Sequence, residues 1–285
     1  MNRQILCIDR HYIYPLVLGL AIVFSGTAMA SKSSGNSHAV HWGYEGDAGP
    51  AYWGKLSSDT VLCGSGKRQS PIDIRNKTAA DLYSMTFNYN TLPMQVVNNG
   101  HTIQVNYHTT ANEGSVSIGG KSYPVKGVPE YLSKLMVGDV PYKLLQFHFH
   151  TPSEHARKGE RYAMEAHFVH VNASGNLAVV GVFMKRGAHN PLFQKVLDNV
   201  SAEINHESVA GGTKINASDL LPGDRTLNHY TGSLTTPPCS ENVNWFVMDT
   251  PVEVSDEQVR RFARIIGKNA RPLQPRNWRN IYQSN

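Results

Sequence analysis

The segment Gln146-Phe147-His148-Phe149-His150 sets two imidazoles two residues apart in an apolar, aromatic run. Side chains alternate across a strand, so His148 and His150 leave one face about 6.6 Å apart along the chain, while Phe147 and Phe149 leave the other. Two imidazoles at that spacing can converge on one ion. A third nitrogen comes from Glu165-Ala166-His167-Phe168-Val169-His170. Gly159-Glu160-Arg161 marks a turn before this second segment, which lets it return antiparallel to the first. His167 can then share the face of His148 and His150, while His170, of opposite parity, faces away. Three neutral nitrogen donors with a fourth position open are the mark of a catalytic zinc site, since a structural site closes all four.

Gln146 and Glu165 each lie two residues before a histidine of this set, on the same face. A metal-bound imidazole passes its second N–H to a carboxylate or carbonyl, which fixes the ring and its tautomer; both residues are placed to accept such a proton. An isolated H-x-H on a strand is a weak signal that satisfied structural histidines explain as well. With E-x-H on the neighbouring strand the signal is stronger, and taken alone it also fits a cupin-like metal site.

The elements that must position these residues read mainly as strands. Thr102–Tyr107, Leu144–His150, Met164–Val171, Leu177–Met184 and Val243–Met248 are short runs rich in β-branched and aromatic residues, punctuated by Gly, Asn and Pro. Helices are few. Asn190-Pro191 is a cap and first-turn pair opening Leu192–Val200. Ser255 with Gln258 forms a capping box ahead of Val259–Ile266, and Gly267 suits the C-terminal cap. The expected fold is mostly β (α+β), a single domain on a large, twisted, mainly antiparallel central sheet with a few short peripheral helices.

At 285 residues, with 40% hydrophobic and 17% charged content, the chain can bury one sizeable core. Residues 1–30 read as a signal peptide: Arg3 and Arg10 in a polar start, an apolar run from Ile13 to Phe24, then Ala28-Met29-Ala30 as a small-x-small cleavage pattern. An uncleaved anchor is the alternative, although the run falls short of the roughly 20 residues a bilayer needs. Residues 31–40 are expected to be a flexible lead-in and 41–285 the folded domain. Removing the signal takes away two cations and one anion, lowering the formal net charge from +5 to +4. Arg260, Arg261, Arg264, Lys268, Arg271, Arg276 and Arg279 gather near the C-terminus and are expected to form a solvated basic face, since no nucleic-acid motif accompanies them. Cys7 leaves with the signal, so Cys63 and Cys239 remain, a candidate disulfide in an oxidising compartment or else two buried thiols. The expected location is outside the cytoplasm, a bacterial periplasm first and secretion otherwise, with no stable membrane insertion after signal removal.

Thr231-Gly232-Ser233-Leu234-Thr235-Thr236-Pro237-Pro238-Cys239 resembles the signature segment of the α-class carbonic anhydrases. So do Trp42-Gly43-Tyr44, Arg68-Gln69-Ser70-Pro71-Ile72-Asp73, Asn98-Asn99-Gly100-His101, Ser153-Glu154-His155 and Arg271-Pro272-Leu273-Gln274-Pro275, in the family's order from about His41 to Arg279. The resemblance implies reversible hydration of carbon dioxide to bicarbonate and a proton, with one Zn²⁺ per chain held by His148, His150 and His167 and a solvent hydroxide as nucleophile. It implies that the Thr235 hydroxyl donates to Glu154 and orients that hydroxide, and that Thr236 contacts bicarbonate. Val169, Val179, Leu234 and Trp245 match the apolar slot for carbon dioxide, though each reads equally well as core. His101 matches the proton shuttle, and its unperturbed pKa, about 6.5, suits loading and unloading near neutral pH. Tyr44, Asn99 and Gln104 match polar positions that order waters along the proton path; Gln104 stands where mammalian members carry asparagine. Cys63 and Cys239 match the cysteine pair of exported members, and Ser70–Pro71 and Pro237–Pro238 resemble the family's cis peptides. The partner implied is a small molecule and not a nucleic acid, and the oligomeric state stays open, a homodimer being one option. Two other readings are a zinc-dependent esterase and a catalytically silent binding module of the same fold.

Overall fold

The computed structural model describes residues 40–107, 115–118, 121–124 and 133–284. The expected signal segment and all of the lead-in except Val40 lie outside these residues. The apolar, β-branched runs fold as strands β1 (Leu92–Asn98), β2 (Ile103–Asn106), β3 (Val140–His150), β4 (Met164–Val171), β5 (Leu177–Arg186), β6 (Glu207–Ile215), β7 (Leu227–Ser233) and β8 (Glu241–Met248). They lie side by side as β6-β1-β2-β3-β4-β5-β8-β7 within a sheet of thirteen strands. Within these eight, every pairing is antiparallel except β5 with β8. The mixed but mainly antiparallel sheet matches the expectation.

Strand parity decides what each face carries. Phe147, Phe149 and Phe168 point to one side and are fully buried with Val105, Val180 and Val182. Two helices join that core, α1 (Pro191–Asn199) and α2 (Asp256–Ile266). Their caps are those expected: Asn190 Oδ1 accepts from the Phe193 N–H at 3.0 Å, Ser255 and Gln258 form a reciprocal capping box, and Gly267 closes α2 at φ 80°, a conformation that costs glycine little. The Phe149 ring lies 4.6 Å from that of Phe193, centroid to centroid. Fully burying a side chain of this size is worth roughly 1.5–3 kcal/mol, so the aromatic face is what holds β3 and β4 in place.

The connection between β3 and β4 carries a small hairpin, Ala156–Arg157 against Glu160–Arg161. Its bend is at Lys158 and Gly159, with φ of 52° and 89°, so the turn centres just ahead of the expected Gly159–Arg161. Cys63 and Cys239 are joined by a disulfide across 176 residues, packed against Trp53. Closing a loop that long constrains the unfolded chain by about 5 kcal/mol in the chain-entropy view. The peptides Ser70–Pro71 and Pro237–Pro238 are cis as expected, and Thr151–Pro152 is cis as well.

The expected solvated basic face needs correction. Arg271 and Arg279 are buried, because backbone carbonyls fold over their guanidinium groups: Arg271 donates to Ser70 O at 2.7 Å and Cys63 O at 2.9 Å, and Arg279 donates to Pro275 O at 2.8 Å. Among the described residues no helix is long and apolar enough to cross a membrane.

Candidate metal centre

His148 and His167 are cross-strand partners on β3 and β4, and His150 lies opposite Glu165. Alternation puts the three imidazoles on the face away from the phenylalanines, with ring centroids 4.6–5.4 Å apart. One nitrogen of each ring lies within 4.8 Å of the others'. The remaining nitrogens are all committed. His148 Nδ1–H donates to Gln146 Oε1 at 2.8 Å, His167 Nε2–H to Glu165 Oε1 at 2.9 Å, and His150 Nδ1–H to the Asn269 carbonyl at 2.7 Å. Carbonyl and carboxylate oxygens only accept, so each bond fixes a tautomer. The lone pairs left over, on His148 Nε2, His150 Nε2 and His167 Nδ1, turn inward.

The inward side holds buried polar atoms that the protein leaves unsatisfied. His150 Nε2 and Glu154 Oε2 are buried without a hydrogen-bond partner, an arrangement that costs free energy unless a ligand completes it. Burial pushes His148 well below the ordinary histidine range, and the neighbouring His150 and His167 add like-charge repulsion. Burial lowers His150 as well, against the pull of Glu154. Both rings therefore stay neutral with a lone pair available, the form a metal requires. Three convergent neutral nitrogens with fixed orientation fit one Zn²⁺.

Glu165 is the anchor behind His167. Burial alone would push its carboxyl up, but His155 and His167 outweigh that and hold it well below the usual carboxylate range. It accepts three bonds: from His167, from His155 Nδ1–H at 2.7 Å and from the His155 backbone N–H at 2.8 Å. Behind it, Tyr230 donates to His155 Nε2 at 2.6 Å, and Ser70 Oγ–H donates to Tyr230 Oη at 2.8 Å. Gly181, opposite His167 on β5, makes room, because a Cβ there would sit 2.9 Å from Glu165 Oε1. His155, Tyr230, Ser70, Gly181 and Asn269 had no role in the reading of the sequence, although His155 and Ser70 stand inside motifs that carry the resemblance.

The Thr235–Glu154 bond implied by the resemblance is not formed. Glu154 Oε1 instead accepts from the Arg271 backbone N–H at 2.8 Å, and Oε2 faces His150 Nε2 at 3.6 Å and His167 Nδ1 at 3.8 Å. Arg271, clamped by its guanidinium, presents a buried amide that one oxygen satisfies, while the other oxygen is buried without a hydrogen-bond partner. Glu154 is fully buried and Thr235 nearly so.

Val169, Val179, Leu234 and Trp245 fall into one apolar cluster. Val169 pairs with Val179 and Val179 with Trp245 across three strands, and the Trp245 ring lies 4.9 Å from that of His167. The four residues matched to the slot are therefore contiguous in the core, with Trp245 beside His167. Thr236 is half-buried one residue beyond Thr235. His101 sits in the turn between β1 and β2, its ring stacked on Trp42 at 3.8 Å and 9°. Gly100 in that turn has φ 83°, and Asn99 Oδ1 accepts from the His101 and Thr102 N–H groups at 3.0 and 2.9 Å. Asn99 Nδ2–H donates to Gln104 Oε1 at 3.5 Å, and Gln104 is the cross-strand neighbour of His148. Burial, and then the charge of Glu154, raise Tyr44 well above its ordinary value. His170, as its parity requires, lies on the core side with Nε2 on Tyr89 Oη at 2.7 Å.

Sequence comparison adds the decisive observation: the profile of the eukaryotic-type carbonic anhydrases matches residues 48–285. The chain belongs to the α-class carbonic anhydrase family. A carbonic anhydrase of Pectobacterium carotovorum is 39% identical over 268 residues, covering 93% of this chain and 97% of that one. One of Nostoc sp. is 37% identical over 273 residues, covering 94% and 95%. The solved α-carbonic anhydrase of Thermovibrio ammonificans, in complex with the inhibitor sulfanilamide, superposes with a TM-score of 0.73 at 41% identity, over 85% of this chain and 99% of that one. Family, relatives and fold agree that this is a carbonic anhydrase, an enzyme of carbon dioxide hydration, in a class of zinc enzymes.

Proposed function

We propose that the protein is exported and catalyses reversible hydration of carbon dioxide with one Zn²⁺ held by His148 Nε2, His150 Nε2 and His167 Nδ1. The observation that carries this is the accounting of ring nitrogens: one on each ring is fixed on an acceptor, the other three converge within 4.8 Å, and His150 Nε2 among them is buried without a hydrogen-bond partner. When bound, zinc supplies Lewis acidity that makes water a nucleophile at neutral pH, the activation for which this family is the standard case. Gln146, Glu165 and the Asn269 carbonyl orient the ligands. Val169, Val179, Leu234 and Trp245 exclude water and seat the apolar substrate. Glu154, pinned by Arg271, offers Oε2 as an acceptor that orients the attacking group, and Thr235 and Thr236 contribute hydroxyls beside it. His101 carries the released proton outward along the polar wall of Tyr44, Asn99 and Gln104.

Stopped-flow carbon dioxide hydration, run beside metal analysis of the same preparation, tests this. The expected result is one zinc per chain with rapid hydration. One zinc per chain without hydration would overturn it, and an activated ester preferred over carbon dioxide in kcat/KM would make esterase the task. Export is tested by the mature N-terminus, expected at Ser31.

A further inference from the structure

A line of amides runs from the outer strand of the sheet to the turn that carries His101. Glu207 opens β6 and lies level with Val97 on β1, which in turn pairs with Gln104 on β2. The Glu207 carboxylate accepts from Asn106 Nδ2–H. A carboxylate has no proton to give, so Asn106 must turn its amide nitrogen outward and its Oδ1 inward. Oδ1 then accepts from Gln104 Nε2–H at 2.6 Å. That donation turns Gln104 Oε1 toward Asn99, whose Nδ2–H donates to it. Asn99 is left with Oδ1 facing the backbone N–H groups of His101 and Thr102. Asn106 and Gln104 are buried, whereas Glu207 is exposed. The acceptor at the edge and the two backbone N–H groups at the turn thus impose one and the same orientation on the three amides between them, and the last of them caps the His101 turn.

We infer that Glu207 is a positioning residue for proton transfer: acting through Asn106, Gln104 and Asn99, it fixes the polarity of the cavity wall and the place of His101. This rests on the reading of His101 as the proton carrier. The relay runs in one direction only. A donor at position 207 would draw Asn106 Oδ1 outward, turn Gln104 Nε2 toward Asn99, and set it against Asn99 Nδ2. Asn99 cannot flip in response without abandoning the two backbone N–H groups it caps. The conflict falls at the Asn99–Gln104 junction, beside the turn.

The test is Glu207→Lys in the zinc-loaded enzyme, with Glu207→Gln, which keeps an acceptor, as the conservative rescue. Amide hydrogen exchange at His101 and Thr102 is expected to accelerate about tenfold in Glu207→Lys, as local opening becomes easier. In weak buffer kcat should fall about three- to tenfold, a fraction of what a positioned acid–base group supplies, with kcat/KM within about twofold. Glu207→Gln should recover most of both. Exchange at these two amides unchanged in Glu207→Lys would overturn the inference, as would an equal loss in kcat and kcat/KM. If exchange accelerates while kcat in weak buffer holds and His101→Ala also leaves kcat intact, the relay stands as a positioning device and the role of His101 falls.

Discussion

Strand β4 carries two buried histidines three residues apart, and they face opposite sides of one sheet. His167 gives one nitrogen to Glu165 and turns the other toward His148 and His150. His170 has both nitrogens spent: Nδ1–H donates to Ala178 O at 3.2 Å, and Nε2 accepts from Tyr89 Oη–H. Residue type, strand and burial are shared, so none of these separates a ligand from a structural histidine. The separation lies in the donor and acceptor accounting, closed on the core face and left open at three converging nitrogens on the other.

The largest effect expected from breaking this contrast is on metal content. His167→Ala removes one of three donors, and a structural zinc site as a whole supplies about 10–16 kcal/mol, so affinity should fall several-hundredfold or more. His170→Phe should keep a full complement of zinc. Metal analysis of both purified variants checks the pair, and equal zinc loss in the two would show that strand integrity, not ligation, is being measured.

The second effect concerns pH. Burial pushes His170 down to about 4, against the pull of its backbone hydrogen bonds. In the unfolded chain a histidine binds its proton near pH 6.5. The unfolded state therefore holds more protons between these values, and stability falls as pH drops from about 6.5 to about 4, by roughly 1.4 kcal/mol per pH unit and on the order of 3 kcal/mol in total. Above the window the contribution is complete, and below it no more is lost. Denaturant melts of zinc-loaded protein should show this slope, and His170→Phe should flatten it. A slope that survives the substitution would assign the titration to other groups.

The third effect is smaller and returns to the open face. Glu165→Gln keeps an acceptor for His167 but removes the charge that also serves His155. Partners of this kind are worth about 10–100-fold in metal affinity. Competition with a chelator measures it, and Gln146→Ala, which touches His148 alone, should lie toward the low end.

How much of this was legible in the sequence follows from distance along the chain. Alternation groups His148 and His150 with Gln146 on one strand, and His167 with Glu165 against His170 on the next, because faces within a strand are a local matter; the register that joins the two sets comes from the sheet. The supports from afar were not legible. Asn269 reaches His150 across 119 residues and Ser70 reaches Tyr230 across 160; nothing in a linear pattern pairs them. Arg271 was misread as solvated for the same reason, since the Ser70 and Cys63 carbonyls that bury it lie more than 200 residues away. The Thr235–Glu154 bond, taken from the resemblance, is not formed: the amide of that same arginine meets one carboxylate oxygen and the other is left without a partner. Parity reads faces, and only packing reveals which distant oxygen a buried nitrogen meets.

Tyr89→Phe is the mildest break, and it asks whether one open nitrogen is enough. The substitution removes the only hydroxyl on His170 Nε2 and changes little else, since Tyr89 already stacks at 6.3 Å on Phe168 and packs edge-on to Phe87 at 5.9 Å. His170 would then present a buried, unpartnered lone pair, as His150 Nε2 does. Leaving such an acceptor unmet costs about 1–3 kcal/mol, seen as a drop in Tm with zinc-loaded protein. No second zinc should bind, because among the described residues no group of three donors close enough to hold a metal includes His170. A second equivalent of zinc in this variant would mean that an open nitrogen alone recruits metal. The expected outcome, lower Tm at unchanged zinc content, locates the specificity of the centre in convergence of three nitrogens rather than in the exposure of any one.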